Sequence, residues 1–310
     1  MNFTEVGLNQ KKVSIGLPVF NGEKFIRKKL ESILSKTFQD FTIVISDNGS
    51  TDHTCKICEE ISKMDDRITF FHHKENKGFY WNYNFVLNKA ETKYFVFAAA
   101  DDIWSKNFLE SNINVLEKCK ELVGSIGECS LFNRIIDSNT HKSEINILKN
   151  SRKYQYVHPV KGELKEKIRF YLDFQMGPQF YSIFRTKDIK FANFYRNKAN
   201  YGMWQSDFAT ILKILKKGNL HVDSESFFYK EVSTKSRSII KYMKIINFST
   251  SDILFSKTIF SVWFFKEFGT KLFLKNFGNL LRSNFSWGRT IFGEVLRMCK
   301  RMIYGQEKYW

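Results

Sequence analysis

Proline is scarce in this chain, with 3 residues in 310, and no segment has the Pro-rich, charged composition of a disordered tail. Cysteine is scarce too. Cys55, Cys58, Cys119, Cys129 and Cys299 make an odd count without framework spacing, which argues against a disulfide scaffold and for a reducing compartment. Cys55 and Cys58 have no second pair or His-x-His at metal spacing, so they read as two small side chains on a helix face. Long apolar runs are also missing. Crossing a bilayer takes ~20 apolar residues, and the most apolar stretch, 253–268, is interrupted by Lys257, Lys266 and Glu267. Met1 to Lys12 lacks the apolar centre of a secretory signal. Together these absences predict a packed, cytoplasmic protein that stays in solution or lies on a membrane surface.

What the chain does have is aromatic and basic. Its 32 Phe and 43% hydrophobic content supply a sizeable core. The formal charge is +17, and residues 235–310 hold 14 Lys+Arg against 4 Asp+Glu, so this last quarter carries +10 of it. There aromatics and bases interleave, as in Trp263-Phe-Phe-Lys-Glu-Phe268 and Lys271-Leu-Phe-Leu-Lys275. Basic helices with bulky apolar faces suit an anionic membrane interface. A helical lid packed on the rest of the chain, with solvated lysines, explains the same composition. Nucleic-acid binding is permitted by charge, but no nucleic-acid module is visible, so nucleic acid is not expected as a partner.

The first hundred residues alternate. Val13–Phe20 reads as a buried strand ending at Pro18, followed by an Asn21-Gly22 turn and a helical period from Glu23 to Lys36. A second strand, Phe41–Ser46, leads into the polar loop Asp47–Asp52, where Ser50 or Thr51 is expected to cap the next helix. Strands at 68–71 and 94–100 enclose a helix that follows Gly78, and the last strand ends at Asp101-Asp102. This rhythm predicts an α/β fold: an open, mostly parallel sheet flanked by helices, with a C-terminal helical extension. Ligands bind beyond the carboxyl ends of such strands, so Pro18–Asn21, Asp47-Asn48 and Asp101-Asp102 are expected to converge. Further on, a helix is expected over 203–217 with Gly218 as its stop.

Adjacent carboxylates at a strand end repel unless something positive neutralises them. A hard divalent cation would do so and would attract the phosphates of a nucleotide. The bland alternative is a capping pair. Asp47 and Asn48 can grip a base or ribose, or simply close a turn.

Four segments then carry a resemblance: Val13-Ser-Ile-Gly-Leu-Pro-Val-Phe-Asn-Gly-Glu23, Ile45-Ser-Asp-Asn-Gly-Ser-Thr-Asp52, Glu75-Asn-Lys-Gly78 and Ala99-Ala-Asp-Asp-Ile-Trp104. In order and spacing they resemble glycosyltransferase family 2, and Tyr181-Ser-Ile-Phe-Arg185 and Trp204-Gln-Ser-Asp207 extend the likeness. It covers roughly residues 12–232 and not the basic tail. It implies a GT-A-like domain over 1–234, with a donor half at about 12–104 and an acceptor half at about 105–234, and an extension over 235–310.

The resemblance also implies roles. Pro18, Phe20 and Glu23 would line the nucleobase and ribose side of the donor pocket. Asp47 and Asn48 hold the family's paired acidic positions, with Asn in place of the second acid. Asn82 and Asn84 match polar positions facing the donor sugar. Asp102, with Asp101, matches the metal-binding pair for Mn²⁺ or Mg²⁺, and Asp101 is also a donor contact. Asp207 matches the catalytic base of an inverting transfer; by itself an Asp at a helix start also reads as a capping or dipole-stabilising residue. The His that many relatives carry beyond the base is missing, leaving Lys230, Lys235 or Glu231 to serve near the diphosphate or metal. The expected enzyme moves a sugar from a nucleotide donor, UDP-linked by preference, to a glycan or lipid-linked acceptor in surface polysaccharide or glycoconjugate synthesis. It is expected in the cytoplasm, or peripheral on the inner face of the cell membrane. A catalytically inactive nucleotide- or sugar-binding protein is the competing reading.

Overall fold

The computed structural model describes residues 11–136, 143–147, 157–174, 177–192, 206–231, 240 and 250–304. Trp204, Gln205 and Lys235 lie outside them.

The parallel half of the sheet follows from the alternating pattern. Strands β1 (Val13–Val19), β2 (Phe41–Asp47), β3 (Ile68–His72) and β4 (Tyr94–Phe97) lie in the order β3-β2-β1-β4, all pairs parallel. Their crossovers carry helices α1 (Ile26–Leu34), α2 (Thr54–Ser62) and α3 (Phe79–Asn88). β4 shows the two-residue period of a strand buried on both faces. Tyr94, Val96 and Ala98 enter one core with the apolar faces of α1 and α2, while Phe95 and Phe97 enter the other with α3. Each fully buried Ile or Leu in these cores contributes about 1.5–3 kcal/mol relative to exposure. Strand β1 runs on to Val19 rather than stopping at Pro18. Proline is tolerated there because the β4 ladder already ended at Gly16 opposite Phe97.

Beyond β4 the sheet becomes mixed: β8 (Ile183–Arg185), β6 (Leu122–Ile136), β9 (Asn219–Glu231) and β5 (Ile103–Trp104) continue it, and β7 (Ser143–Ile147) pairs with β6. β6 is a long strand that the sequence pattern did not announce. Helices α4 (Phe108–Lys118), α5 (Leu164–Phe174), α6 (Thr186–Ala192) and α7 (Ser206–Ile214) flank this half. Gly218 does not stop α7 with a left-handed residue. It permits a close approach, since a Cβ there would lie 2.4 Å from the Glu121 carbonyl oxygen.

The extension is two long helices, α8 (Thr250–Lys275, broken where Gly269 takes φ 75°) and α9 (Phe277–Tyr304). One face of α8 is docked on the rest of the fold. Phe260, Trp263, Phe264 and Leu280 share a core with Phe208, Ile211 and Leu212 of α7. Lys216 closes an ion pair with Glu267 at 2.5 Å, and Trp287 Nε1 donates to the Ile253 carbonyl at 2.8 Å.

Candidate active site

The loops after β1 and β2 are laced into one rim. Asn21 stands at φ 50°, a left-handed conformation that Asn tolerates, and its Oδ1 accepts the Thr51 backbone N–H at 2.8 Å. Ser50 Oγ accepts from the Asn21 backbone N–H, and Thr54 Oγ1 accepts from that of Gly22 at 2.7 Å. Glu23 Oε2 accepts the His53 backbone N–H at 3.1 Å, which holds its carboxyl below the ordinary value. Helix α2 is not capped by Ser50 or Thr51. Ser50 turns back to Asp47, and the Asp52 carboxylate accepts the Thr54 N–H at 3.0 Å instead. Phe20 projects from this rim, 38% exposed, whereas Pro18 is buried in the sheet.

Register brings the expected residues together. Val19 pairs with Asp47, and Asp47 with His72. Asp47 is fully buried; its carboxylate accepts the Ser50 N–H at 3.1 Å and meets His72 Nδ1 at 3.0 Å. Asp47, Cys55 and His72 place one ligand atom each within 4.8 Å of one another. Cys58, one turn from Cys55 on α2, is buried in the core, and burial pushes its thiol up to about 12.

Asn48 explains itself in the structure. Its Nδ2 donates to Asn76 Oδ1 at 2.8 Å and to the Gly78 carbonyl at 3.1 Å, while its Oδ1 accepts the Lys77 N–H at 3.0 Å. The side chain thus pins the loop that starts α3. Asn82 is likewise committed: it accepts from Ser46 Oγ at 2.5 Å and donates to the carbonyls of Ser46 (3.0 Å) and Val19 (3.3 Å). Buried at 3% exposure, it ties the ends of β1 and β2 together. Asn84 is half-buried on the same helix.

Asp101 and Asp102 follow β4 and part company. Asp101 is exposed, and its carbonyl accepts Arg134 Nη2 at 2.8 Å. Asp102 is buried; its Oδ1 accepts the Glu231 N–H at 3.2 Å and its Oδ2 lies 3.7 Å from Lys230 Nζ. Burial pushes the Asp102 carboxyl up, against the pull of Lys230. For Lys230, burial is outweighed by Asp102 and Asp101, which hold the ammonium above its ordinary value. Glu231 Oε2 meets Arg134 Nε at 3.5 Å. Lys230 and Glu231 therefore both stand at this cluster, where a His was missing from the sequence.

Asp102 Oδ2 and Glu231 Oε2 are buried and accept no hydrogen bond. Buried carboxylate oxygens ordinarily do, and hard oxygen donors of this kind are what Mg²⁺ or Mn²⁺ takes. The residues present therefore fit a hard divalent cation. Charge balance alone does not demand one, because Lys29, Lys230 and Arg134 already face Asp101, Asp102 and Glu231.

Asp207 opens α7, where its Oδ1 accepts the Phe208 N–H at 2.8 Å. Burial pushes its carboxyl above the ordinary value, opposed by that N–H and by the charges of Lys230 and Lys257. Lys230 Nζ lies 3.7 Å from Asp102 Oδ2 and 5.0 Å from the Tyr181 ring centre, and its charge also favours the ionised form of Asp207.

Sequence reasoning missed three basic residues. Lys29 Nζ donates to the Asp102 carbonyl at 2.8 Å and lies 4.3 Å from the Trp104 ring centre. Burial pulls its ammonium down to about 7, against Asp102 and Asp101. It occupies the buried stripe Ile26, Lys29, Leu30, Ile33 of α1, and a lysine in an apolar helical stripe is a readable signal. Lys257 sits likewise on the docked face of α8, where burial pulls it down to about 8 against the charge of Asp207. Arg134, on the unforeseen strand β6, carried no such signal.

The sequence pattern described as "Glycosyl transferase family 2" matches residues 14–191, more than half of the chain. The chain belongs to glycosyltransferase family 2. An uncharacterized glycosyltransferase of Haemophilus influenzae is 37% identical over 106 residues, 34% of this chain and 33% of that protein. The chain thus spans about a third of that relative. The family 2 fold also matches S. aureus TarS 1-349 in complex with UDP-GlcNAc at TM-score 0.57 and 19% identity, over 84% of this chain and 68% of TarS 1-349. It matches the mannosyltransferase PcManGT of Pyrobaculum calidifontis, in complex with GDP-Man and Mn²⁺, at TM-score 0.56 and 12% identity, over 96% and 76%. The fold is GT-A.

Proposed function

We propose that this family 2 chain is a metal-dependent, inverting glycosyltransferase that takes a nucleotide-diphosphate sugar and transfers the sugar to a glycan or lipid-linked acceptor. The observation that carries the reading is the buried Asp102 carboxylate, whose Oδ2 accepts no hydrogen bond and faces Lys230 Nζ at 3.7 Å beside Glu231. A UDP-linked donor is the preferred reading, and the UDP-GlcNAc complex of the TarS fold supports it.

Phe20 is available to stack on the base, with Pro18 behind it and Asp47 and Glu23 shaping the rim. Asp101 would contact the donor from the solvent side, and Asn84 would face the sugar. Asn48 and Asn82 act by holding the loops that present these groups. Asp102, with Asp101, would hold Mn²⁺ or Mg²⁺, which when bound neutralises charge on the departing diphosphate. Lys230 adds a fixed positive charge beside the same phosphates. Asp207 removes the proton from the acceptor hydroxyl, whose oxygen bonds to the anomeric carbon as the bond to the diphosphate breaks on the opposite face. Inversion follows from that opposition. The same reading places the work in surface polysaccharide or glycoconjugate synthesis, in the cytoplasm or peripheral on the inner face of the cell membrane.

The test is hydrolysis and transfer from a panel of nucleotide sugars, with and without Mn²⁺ or Mg²⁺, for the wild type and Asp102→Ala. Metal-dependent release of one nucleotide, lost in the variant, is the expected result. Nucleotide binding without turnover under any metal would replace this reading with that of an inactive binding protein.

A further inference from the structure

The two extension helices bury one face and leave another apolar face bare. On α9, Leu280, Trp287 and Ile291 are buried, yet Phe277, Leu281, Phe285, Phe292, Val295 and Leu296 are all exposed. At about 100° per residue these six fall in an arc of roughly 100° on one side of the helix, centred about 110° from the buried line. Phe285 and Phe292 are 68% and 64% exposed. Arg282 and Arg289, both exposed, lie within about 40° of the edge of that arc. α8 repeats the arrangement. Ile253, Phe260 and Phe264 face inward, while Leu254, Phe255, Val262 and Phe265 are exposed with Lys266 beside them.

Six large apolar side chains exposed along one arc of a helix form the kind of surface that marks an interaction face, and the charge around it selects the occupant. A second copy of the chain would bring two arginine-edged faces together within a protein of net charge +17. An anionic lipid surface takes both parts: acyl chains receive the phenylalanines and headgroup phosphates receive Arg282, Arg289 and Lys266. Among the described residues no helix is long and apolar enough to cross a membrane, so the helices would lie in the interface plane.

We infer that the outer face of α8 and α9 docks the protein on an anionic lipid bilayer. The inference rests on the membrane placement proposed above and not on the identity of the donor. Because α8 also packs over α7, this face and the start of the helix carrying Asp207 belong to one docked unit.

The experiment is flotation of the full chain with vesicles of phosphatidylcholine alone, and with vesicles of phosphatidylcholine and phosphatidylglycerol in equal parts. Sedimentation velocity without lipid runs beside it. Flotation with the anionic vesicles only, lost at about 0.5 M salt, is expected. Phe285→Ser with Phe292→Ser should weaken it at least tenfold, and Arg282→Gln with Arg289→Gln should weaken it and flatten the salt dependence. Both variants should keep wild-type donor hydrolysis in solution, which separates failure of docking from failure of the catalytic reading. No flotation with anionic vesicles, flotation indifferent to either variant, or a dimer in solution abolished by the phenylalanine pair would each overturn the inference.

Discussion

Asn48 illustrates how one atom's chemistry sets a residue's role. The family pattern has an acid at this position, but here the side chain must donate twice, to Asn76 and to the Gly78 carbonyl. A carboxylate can only accept. Asn48→Asp, which restores the family's acid, is therefore expected to set acceptor against acceptor and cost about 1–3 kcal/mol. A fall in thermal midpoint would register it, and an unchanged midpoint would mean that the loop does not depend on this donor. The sequence showed the substitution plainly. It could not show that the amide faces the α3 loop, because that depends on where Gly78 lies in space.

At the scale of elements, α8 brings the Lys257 charge to bear on Asp207. Lys257 lowers the carboxyl's proton affinity while burial raises it, and burial wins. The acidic limb of kcat/KM should then lie above the ordinary Asp value of about 3.9. Lys257→Gln should move that limb upward, since the ionised carboxylate loses a favourable charge. A limb that stays in place would remove Lys257 from the site. Asp207→Asn should slow transfer by about 100- to 10,000-fold. Stability should move the other way. A carboxyl whose folded value is raised favours the fold below its unfolded value, and that contribution is lost as pH rises through the folded value. Hence Asp207→Asn should unfold at a higher temperature than the wild type at neutral pH.

For the whole molecule, the extension is both a cover and a surface. Its inner face completes the core around Phe208, Ile211 and Leu212. A chain ending at residue 249 would bare that apolar surface, so it is expected to unfold at a lower temperature and to self-associate in sedimentation velocity. A soluble truncated chain of unchanged midpoint would make the extension an independent appendage. The two readings of the basic tail, lid and membrane face, thus describe different sides of the same helices: the inner side is packed on α7 in this fold, and the lipid side is the inference above.

The sequence by itself determined the parallel half of the sheet, because two-residue and helical periods are local properties that chain order converts into β1, β2, β3 and β4 with their crossovers. It also placed Asp47 at the end of β2, whereas β4 stops at Phe97 rather than at residue 100, so Asp101 and Asp102 lie in the link between β4 and β5. Only the tertiary structure decided which polar groups remain free. Asn48 is consumed by the loop before α3 and Asn82 by the ends of β1 and β2, Asp102 keeps an oxygen without a hydrogen bond, and Arg134 arrives on a strand without local signature. Lys29 and Lys257 were visible as lysines on apolar stripes, but their partners were not. The reason is physical: periodicity records which face is buried, whereas hydrogen-bond and charge partners come from residues up to 129 positions apart, as with Asp102 and Glu231.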